Sequence, residues 1–320
     1  MRQAVALVAF GIAVLVGVSA AGATSAGRDG RIAYMVKDPR EHWQVWVASA
    51  HLSGAKRLTS GGYDSGWPVW SPDGKTLVFD SARTDRTPND RRHVNDVFLM
   101  KADGSGVKKL TNSKGTSGDA AWSPKGSLFA FDADRGNSKE LRAIYVMSAS
   151  GGKPRKVTRP APPMSDYKPR FSPDGTHIAF VRARGTAERA PAALFTVRLD
   201  GTDLHRLTSF SLHADDSDWA PDGKHIVFEA YPNPAAYGDI YVVDANGGPP
   251  VNLSRNPAGQ AGCADPIWSS DGRKILFLDI RRVNGVGRTG LATMNTDGSD
   301  RRFVSAQNLE IHQADWESAH

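Results

Sequence analysis

A chain of 320 residues with one cysteine forms no internal disulfide, so its stability must come from a packed core. Its net charge of +6 is modest for this length; it favours acidic partners and does not by itself argue for nucleic acid. With 40% hydrophobic residues, 32 Gly and 19 Pro, the composition suits many short strands joined by tight turns.

The first element is a targeting segment. Arg2 supplies a positive start, Ala4 to Val18 is apolar or small, and Ala21-Gly22-Ala23 and Thr24-Ser25-Ala26 are candidate cleavage sites. Residues 1–26 therefore read as a secretory signal peptide, and the product is expected in the periplasm, the cell envelope or outside the cell. Left uncleaved, the same stretch could anchor the chain, the one expected contact with a membrane.

A strand follows at Arg31-Ile32-Ala33-Tyr34, a second at Gln44-Val45-Trp46-Val47, and a closing segment at Arg57-Leu58-Thr59. Next comes a phrase that recurs along the chain: Trp70-Ser71-Pro72-Asp73-Gly74, Trp122-Ser123-Pro124-Lys125-Gly126, Phe171-Ser172-Pro173-Asp174-Gly175, Trp219-Ala220-Pro221-Asp222-Gly223 and Trp268-Ser269-Ser270-Asp271-Gly272. The aromatics lie roughly 50 residues apart, and Trp316 continues the series. In each phrase Pro presets one turn angle and Gly takes the positive one.

The unit from Trp67 to Thr111 contains four short strands. Trp67–Trp70 is followed by Thr76-Leu77-Val78-Phe79, Val97-Phe98-Leu99-Met100 and Lys108-Lys109-Leu110-Thr111. Four antiparallel strands per repeat make a propeller blade. The first unit lacks its aromatic strand, and Ala314-Asp315-Trp316 is such a strand with no blade after it. These fragments complete one composite blade, so the prediction is an all-β six-bladed propeller over residues 27–320, closed by strands from both ends and monomeric.

Pro68-Val69-Trp70-Ser71-Pro72-Asp73-Gly74 and Ile144-Tyr145-Val146-Met147, repeated with Asp-Gly and Leu-Thr, resemble the TolB-type (WD40-like, PD40) propeller. The same blades occur in propellers of the dipeptidyl-peptidase IV and prolyl-oligopeptidase type. The resemblance implies fold rather than role. TolB proper carries an α/β domain before its propeller, where this chain has only the signal segment, so a Tol–Pal role is not carried over. Those peptidases carry a hydrolase domain with a Gly-x-Ser-x-Gly elbow, a pentapeptide absent here.

Short, uniform turns fall on one face of the ring, and long, variable loops on the other, where binding is expected. The residue three places before each aromatic sits near the channel mouth: Trp67, Asp119, Lys168, Asp216, Asp265 and Gln313. These are ligand-binding candidates, though the position could also simply tie blades together. Arg92 in an arginine-rich loop, with Arg83, Arg86 and Arg91, and Tyr237 in a Tyr-Pro loop extend the list. His213, Asp216, Asp265 and His312, with Asp215 beside them, form an alternative catalytic arc; a divalent cation is the one cofactor they could take. The leading expectation is a non-enzymatic, exported propeller binding an envelope protein or anionic polysaccharide, with no nucleic acid and no resident metal. The alternative is a channel-mouth polysaccharide lyase or hydrolase.

Overall fold

The computed structural model describes residues 30–316 apart from 85–94, 113–114, 136–140, 188, 234–236, 257–260, 284–285 and 305–310; the side chains of 282–288, 311–313 and 316 also lie outside the description. The signal segment, Arg86, Arg91, Arg92 and the side chains of His312 and Gln313 thus fall outside the described residues.

Six four-stranded antiparallel sheets form the blades. Blade 1 holds β1 (Arg31–Lys37), β2 (Trp43–Ser49) and β3 (Lys56–Arg57). Blade 2 holds β4 (Ser65–Trp70), β5 (Thr76–Ser81), β6 (Asp96–Lys101) and β7 (Lys108–Lys109). Blade 3 holds β8 (Ser117–Trp122), β9 (Leu128–Ala133), β10 (Ala143–Ser148) and β11 (Arg155–Lys156). Blade 4 holds β12 (Met164–Phe171), β13 (His177–Arg184), β14 (Ala192–Arg198) and β15 (His205–Arg206). Blade 5 holds β16 (Ala214–Trp219), β17 (His225–Ala230), β18 (Asp239–Asp244) and β19 (Val251–Asn252). Blade 6 holds β20 (Ala261–Trp268), β21 (Lys274–Val283), β22 (Val286–Asn295) and β23 (Arg302–Phe303). The last strand, β24 (Ile311–Trp316), pairs with β1 and completes blade 1 in the order β24-β1-β2-β3. The predicted composite closure is thus the observed one.

The second strand of each blade is buried on both faces, because neighbouring blades sandwich it. That is why it reads as a continuous apolar run. Phe79, Phe131, Phe180, Phe228 and Phe277 occupy the same place in blades 2 to 6, each fully buried. Burying one such ring stabilises by about 2–3 kcal/mol. In four blades this Phe faces an aromatic directly across the ladder. The pairs are Phe79–Phe98, Phe131–Tyr145, Phe180–Phe195 and Phe228–Tyr241, with centroids 5.7 to 5.8 Å apart.

The Ser-Pro-Asp-Gly phrase is a capped turn. Ser71 Oγ donates to Asp73 (2.7 Å) and accepts the Thr76 N–H (3.0 Å), while Gly74 adopts φ +63°. Asp73 stays acidic because Ser71 and the Lys75 N–H hold its carboxylate. The Leu-Thr phrase, or Val-Thr in blade 3 and Leu-Ser in blade 5, closes blades 1 to 5. Thr111 Oγ1 accepts the Val97 N–H and donates to Asp96; Thr59, Thr158 and Thr208 accept the equivalent third-strand N–H, and Ser254 does so in blade 5. The hydrogen-bonded outer strand is therefore the two residues before Leu-Thr, shorter than the sequence suggests. Edges this short offer little template for pairing with another chain.

Candidate functional site

The first strands converge on the ring axis, β4 packing on β8, β8 on β12, β12 on β16 and β16 on β20. Each carries a bulge at the residue three places before its aromatic, where the register with the second strand shifts. Trp67, Asp119, Lys168 and Asp265 sit there with φ of 48°, 51°, 53° and 50°, a left-handed conformation uncommon for such residues. In blade 5 the bulge falls at Asp216 without positive φ, leaving Asp215 and Asp216 beside one another. Strained backbone of this kind persists where the surrounding structure over-determines it.

The surroundings are carboxylates from the second strand of the preceding blade. Asp80 Oδ2 accepts the Asp119 N–H (2.8 Å), Asp132 Oδ2 the Lys168 N–H (3.3 Å), and Glu229 Oε2 the Asp265 N–H (3.5 Å). At Asp119, Lys168 and Asp265 the bulge backbone therefore ties adjacent blades, one of the two roles considered from the sequence.

Lys168 is the hub. Its Nζ lies 2.8 Å from Asp215 Oδ1 and 2.6 Å from Asp216 Oδ2, reaching from blade 4 to blade 5. Its side chain is 21% exposed and that of Asp216 8%. On the other side, Arg142 Nη1 donates to Asp132 (2.7 Å), and its guanidinium lies 5.5 Å from the Tyr167 ring centre. Burial works to lower the Lys168 pKa, but the charges of Asp215, Asp216, Asp119 and Asp265 raise it well above normal. Asp216 shows the reciprocal effect: burial pushes its pKa up, yet Lys168 and a hydrogen bond from Asp265 bring it below normal.

Several carboxyls around this pair are pushed above the usual carboxylate range. Burial, then the charge of Asp132, pushes Asp119 up to about 8. Burial, then the charge of Asp215, pushes Glu229 up to about 8. Asp265 is raised by burial, by the charges of Asp216 and Glu229, and by its hydrogen bond to Asp216. Asp80 is raised by burial and by Asp119, and its Oδ1 has no hydrogen-bond partner among the described residues; nor has Glu229 Oε1. Asp119, Asp132, Asp215, Asp216, Glu229 and Asp265 thus outnumber the two cations among them. Asp215, Asp216 and Glu229 each bring an oxygen within 4.8 Å of the others, a spacing that suits a divalent cation. Such an ion would have to displace the Lys168 ammonium.

Other sequence candidates lie elsewhere. His213 follows a 3-10 turn (Phe210–Leu212), and its Nδ1 is 3.0 Å from the Arg189 carbonyl oxygen, a loop-to-loop tie. Tyr237 is half-buried against Gly262, which has no room for a side chain. Arg83 lies over Phe79, Phe98 and Tyr63 instead of reaching freely into solvent. Trp67 is half-buried. Sequence reasoning missed Asp80, Asp132 and Glu229, and read Arg142 only as one of the variable-loop arginines. The signal was present: a carboxylate directly follows the buried Phe of the second strand in Phe79-Asp80, Phe131-Asp132 and Phe228-Glu229. An open cleft of about 700 Å³ lies on the opposite, uniform-turn face between blades 4 and 5, beside His177, Asp203, Trp219 and Asp222. Its His177 and Asp203 face one another at 3.5 Å and Asp222 caps its own turn, so these three groups are already engaged.

An all-β ring of six four-stranded blades around a carboxyl-lined channel defines a β-propeller. The TolB beta propeller domain model matches residues 28–186, and the chain is a TolB-like six-bladed propeller. Among solved structures it is similar to TolB from Acinetobacter baumannii, with a TM-score of 0.70 and 22% identity over 90% of this chain and 66% of that one. The putative TolB from Agrobacterium tumefaciens gives 0.64 and 20%, covering 90% of both chains. Among curated proteins, the uncharacterized peptidase YuxL of Bacillus subtilis is 24% identical over 66% of this chain, but only 28% of its own length is spanned. No helix among the described residues is long and apolar enough to cross a membrane.

Proposed function

We propose that this chain is an exported, non-enzymatic binding propeller of the cell envelope, whose channel mouth receives a cationic group of a protein partner. The observation that carries the reading is the excess of carboxyls gathered around Lys168 of blade 4 from blades 3, 5 and 6. In a narrow, low-dielectric channel lined by acidic groups, a cation is favoured as those groups ionise. Because Asp119 and Glu229 keep protons near neutral pH, a bound ammonium or guanidinium replaces those protons rather than meeting a preformed set of anions. Likeness to TolB proteins supports an envelope binding role, and the apolar segment before Ser25 supports export.

One observation favours a second reading. Asp216 and Asp265 lie within hydrogen-bond reach and are pushed in opposite directions, the pattern of an acid and a base side by side. In that case the channel would cleave a polysaccharide, and turnover would vanish with Asp216→Asn. Calorimetric titration with a triarginine peptide, beside a carbohydrate-turnover assay of the wild type, separates the readings. Peptide binding that is lost in Asp216→Asn/Asp265→Asn, with no turnover by the wild type, supports the binder. Turnover by the wild type that is lost in Asp216→Asn supports the enzyme.

A further inference from the structure

The outermost strands carry a pattern that the channel does not use. β3 is Lys56-Arg57, β7 Lys108-Lys109, β11 Arg155-Lys156 and β15 His205-Arg206. Blade 5 breaks the series with Val251-Asn252. Blades 1 to 4 are neighbours in the ring, so their rims form one continuous basic arc over more than half of it, at roughly 60° per blade in a closed six-bladed ring.

The charge on this arc is available. Lys56, Arg57, Lys108, Arg155, Lys156 and Arg206 are all exposed. Among the described residues none of the six is ion-paired with a carboxylate; by contrast Lys109 pairs with Asp96 and, outside the arc, Arg302 with Asp300. Lys56 Nζ and Arg155 Nη1 instead donate to carbonyl oxygens of the next blade, Asp103 (3.0 Å) and Leu199 (2.7 Å). Those bonds hold the two cations across the blade seams without neutralising them. The acids of the adjoining turns, Asp103 and Asp200, are held in their own turns by Ser105 and Thr202. Net positive charge is thus carried on the rim while the channel is acidic, a separation that a figure of +6 for the whole chain conceals.

From this geometry we infer that the rim of blades 1 to 4 is a binding surface for a flexible, linear anionic polysaccharide, distinct from the channel and independent of what binds there. The arc is convex, with a radius of about 20 Å from four strands about 4.8 Å apart around a narrow channel. A flat bilayer touches such a curve at one or two blades. Duplex DNA, with a persistence length of about 50 nm, does not bend around it. Single-stranded nucleic acid is usually held on aromatic platforms. The exposed large apolar residues of the arc are Val107 and Leu204, and the exposed Phe303 belongs to blade 6. A flexible sugar polymer with regularly spaced carboxylates can follow all four edges and form charge-assisted bonds at each.

The test uses the processed chain and immobilised polygalacturonate at about 50 and 200 mM NaCl. One variant reverses one cation per blade on the arc, Arg57→Glu/Lys108→Glu/Lys156→Glu/Arg206→Glu, sparing the seam residues Lys56 and Arg155. A second makes the same charge change in blades 5 and 6, Lys224→Glu/Arg255→Glu/Arg273→Glu/Arg302→Glu. Thermal melts establish that both fold. The expected result is binding that weakens steeply with salt, falls roughly tenfold or more in the arc variant, and falls less than about threefold in the second. Equal losses in the two variants would reduce the effect to net charge and overturn the proposal. So would phosphatidylglycerol vesicles or duplex DNA binding as tightly as the polysaccharide. Absence of wild-type binding, with self-association of the arc variant, would make these residues edge guards only.

Discussion

Lys168 Nζ and Asp216 Oδ2 meet at 2.6 Å, joining blade 4 to blade 5 at the ring axis. The pair is partly buried, and Asp215 shares the same ammonium at 2.8 Å. Breaking such a contact from one side leaves charges without compensation, which costs more than the contact itself contributes.

Lys168→Met is therefore expected to lower stability by about 2 kcal/mol, less than for a fully buried pair because Lys168 keeps some exposure. Adding Asp216→Asn should recover part of that loss by removing the stranded charge. Urea denaturation of the single and double variants reads both effects. An additive or larger loss in the double variant would show that Lys168 acts through packing of its stem alone.

The raised carboxyls give stability a definite pH trend. Asp119 and Glu229 titrate near 8 in the fold, against ordinary values of 3.8 and 4.5. Between about pH 4 and pH 8 the native state holds protons that the unfolded chain has released, so stability falls as pH rises through this range. Asp218, raised by burial to about 6, adds to the same trend. The capped-turn residues Asp73 and Asp174, whose pKa values are lowered, act oppositely below about pH 4. Calorimetric melting should thus give a higher Tm at pH 5.5 than at pH 8.5. Asp119→Asn, which removes a half-buried charge crowded by Asp132 and suits a left-handed φ, should narrow the gap by raising Tm at pH 8.5. A Tm that rises from pH 5.5 to 8.5 would contradict the assignment.

Removing residues from Leu309 onward deletes β24. It exposes the whole edge of β1 and removes Asp315, whose Oδ2 accepts the Trp70 N–H at 2.8 Å. The truncated ring is expected to lose its single cooperative melt and to aggregate through the open edge. A truncated chain that melts like the full one would mean that packing between blades suffices for closure.

The fold was legible because a turn's requirements are local. Pro72, Asp73 and Gly74 each announce their backbone role, and repetition of the phrase announces the blade. The composite blade was legible for the same reason, since Trp316 had no partner in its own unit. Lys168, Asp119 and Asp265 were found by position, counted back from the aromatic, although the bulge that presents them leaves no residue signature; Pro169 and Pro266 follow two of them, but Ala120 follows Asp119. Asp132 and Glu229 were hidden because they end apolar strands and read as solvent-facing termini. Their role depends on the next blade's backbone, about 36 residues further on. The basic rim was masked because Leu-Thr, the repeating closure, carries the visible pattern, while the paired strand is the basic dipeptide just before it.

The central claim is that a cation replaces protons in the channel mouth, and its most direct test is titration of a triarginine peptide at pH 7.5. The calorimetry is run in two buffers of different ionisation enthalpy, with wild type and Asp216→Asn/Asp265→Asn. The account predicts saturable binding by wild type, proton release on binding, tighter binding as pH rises through 8, and no binding by the variant. Binding without proton release, or equal binding by the variant, would contradict it.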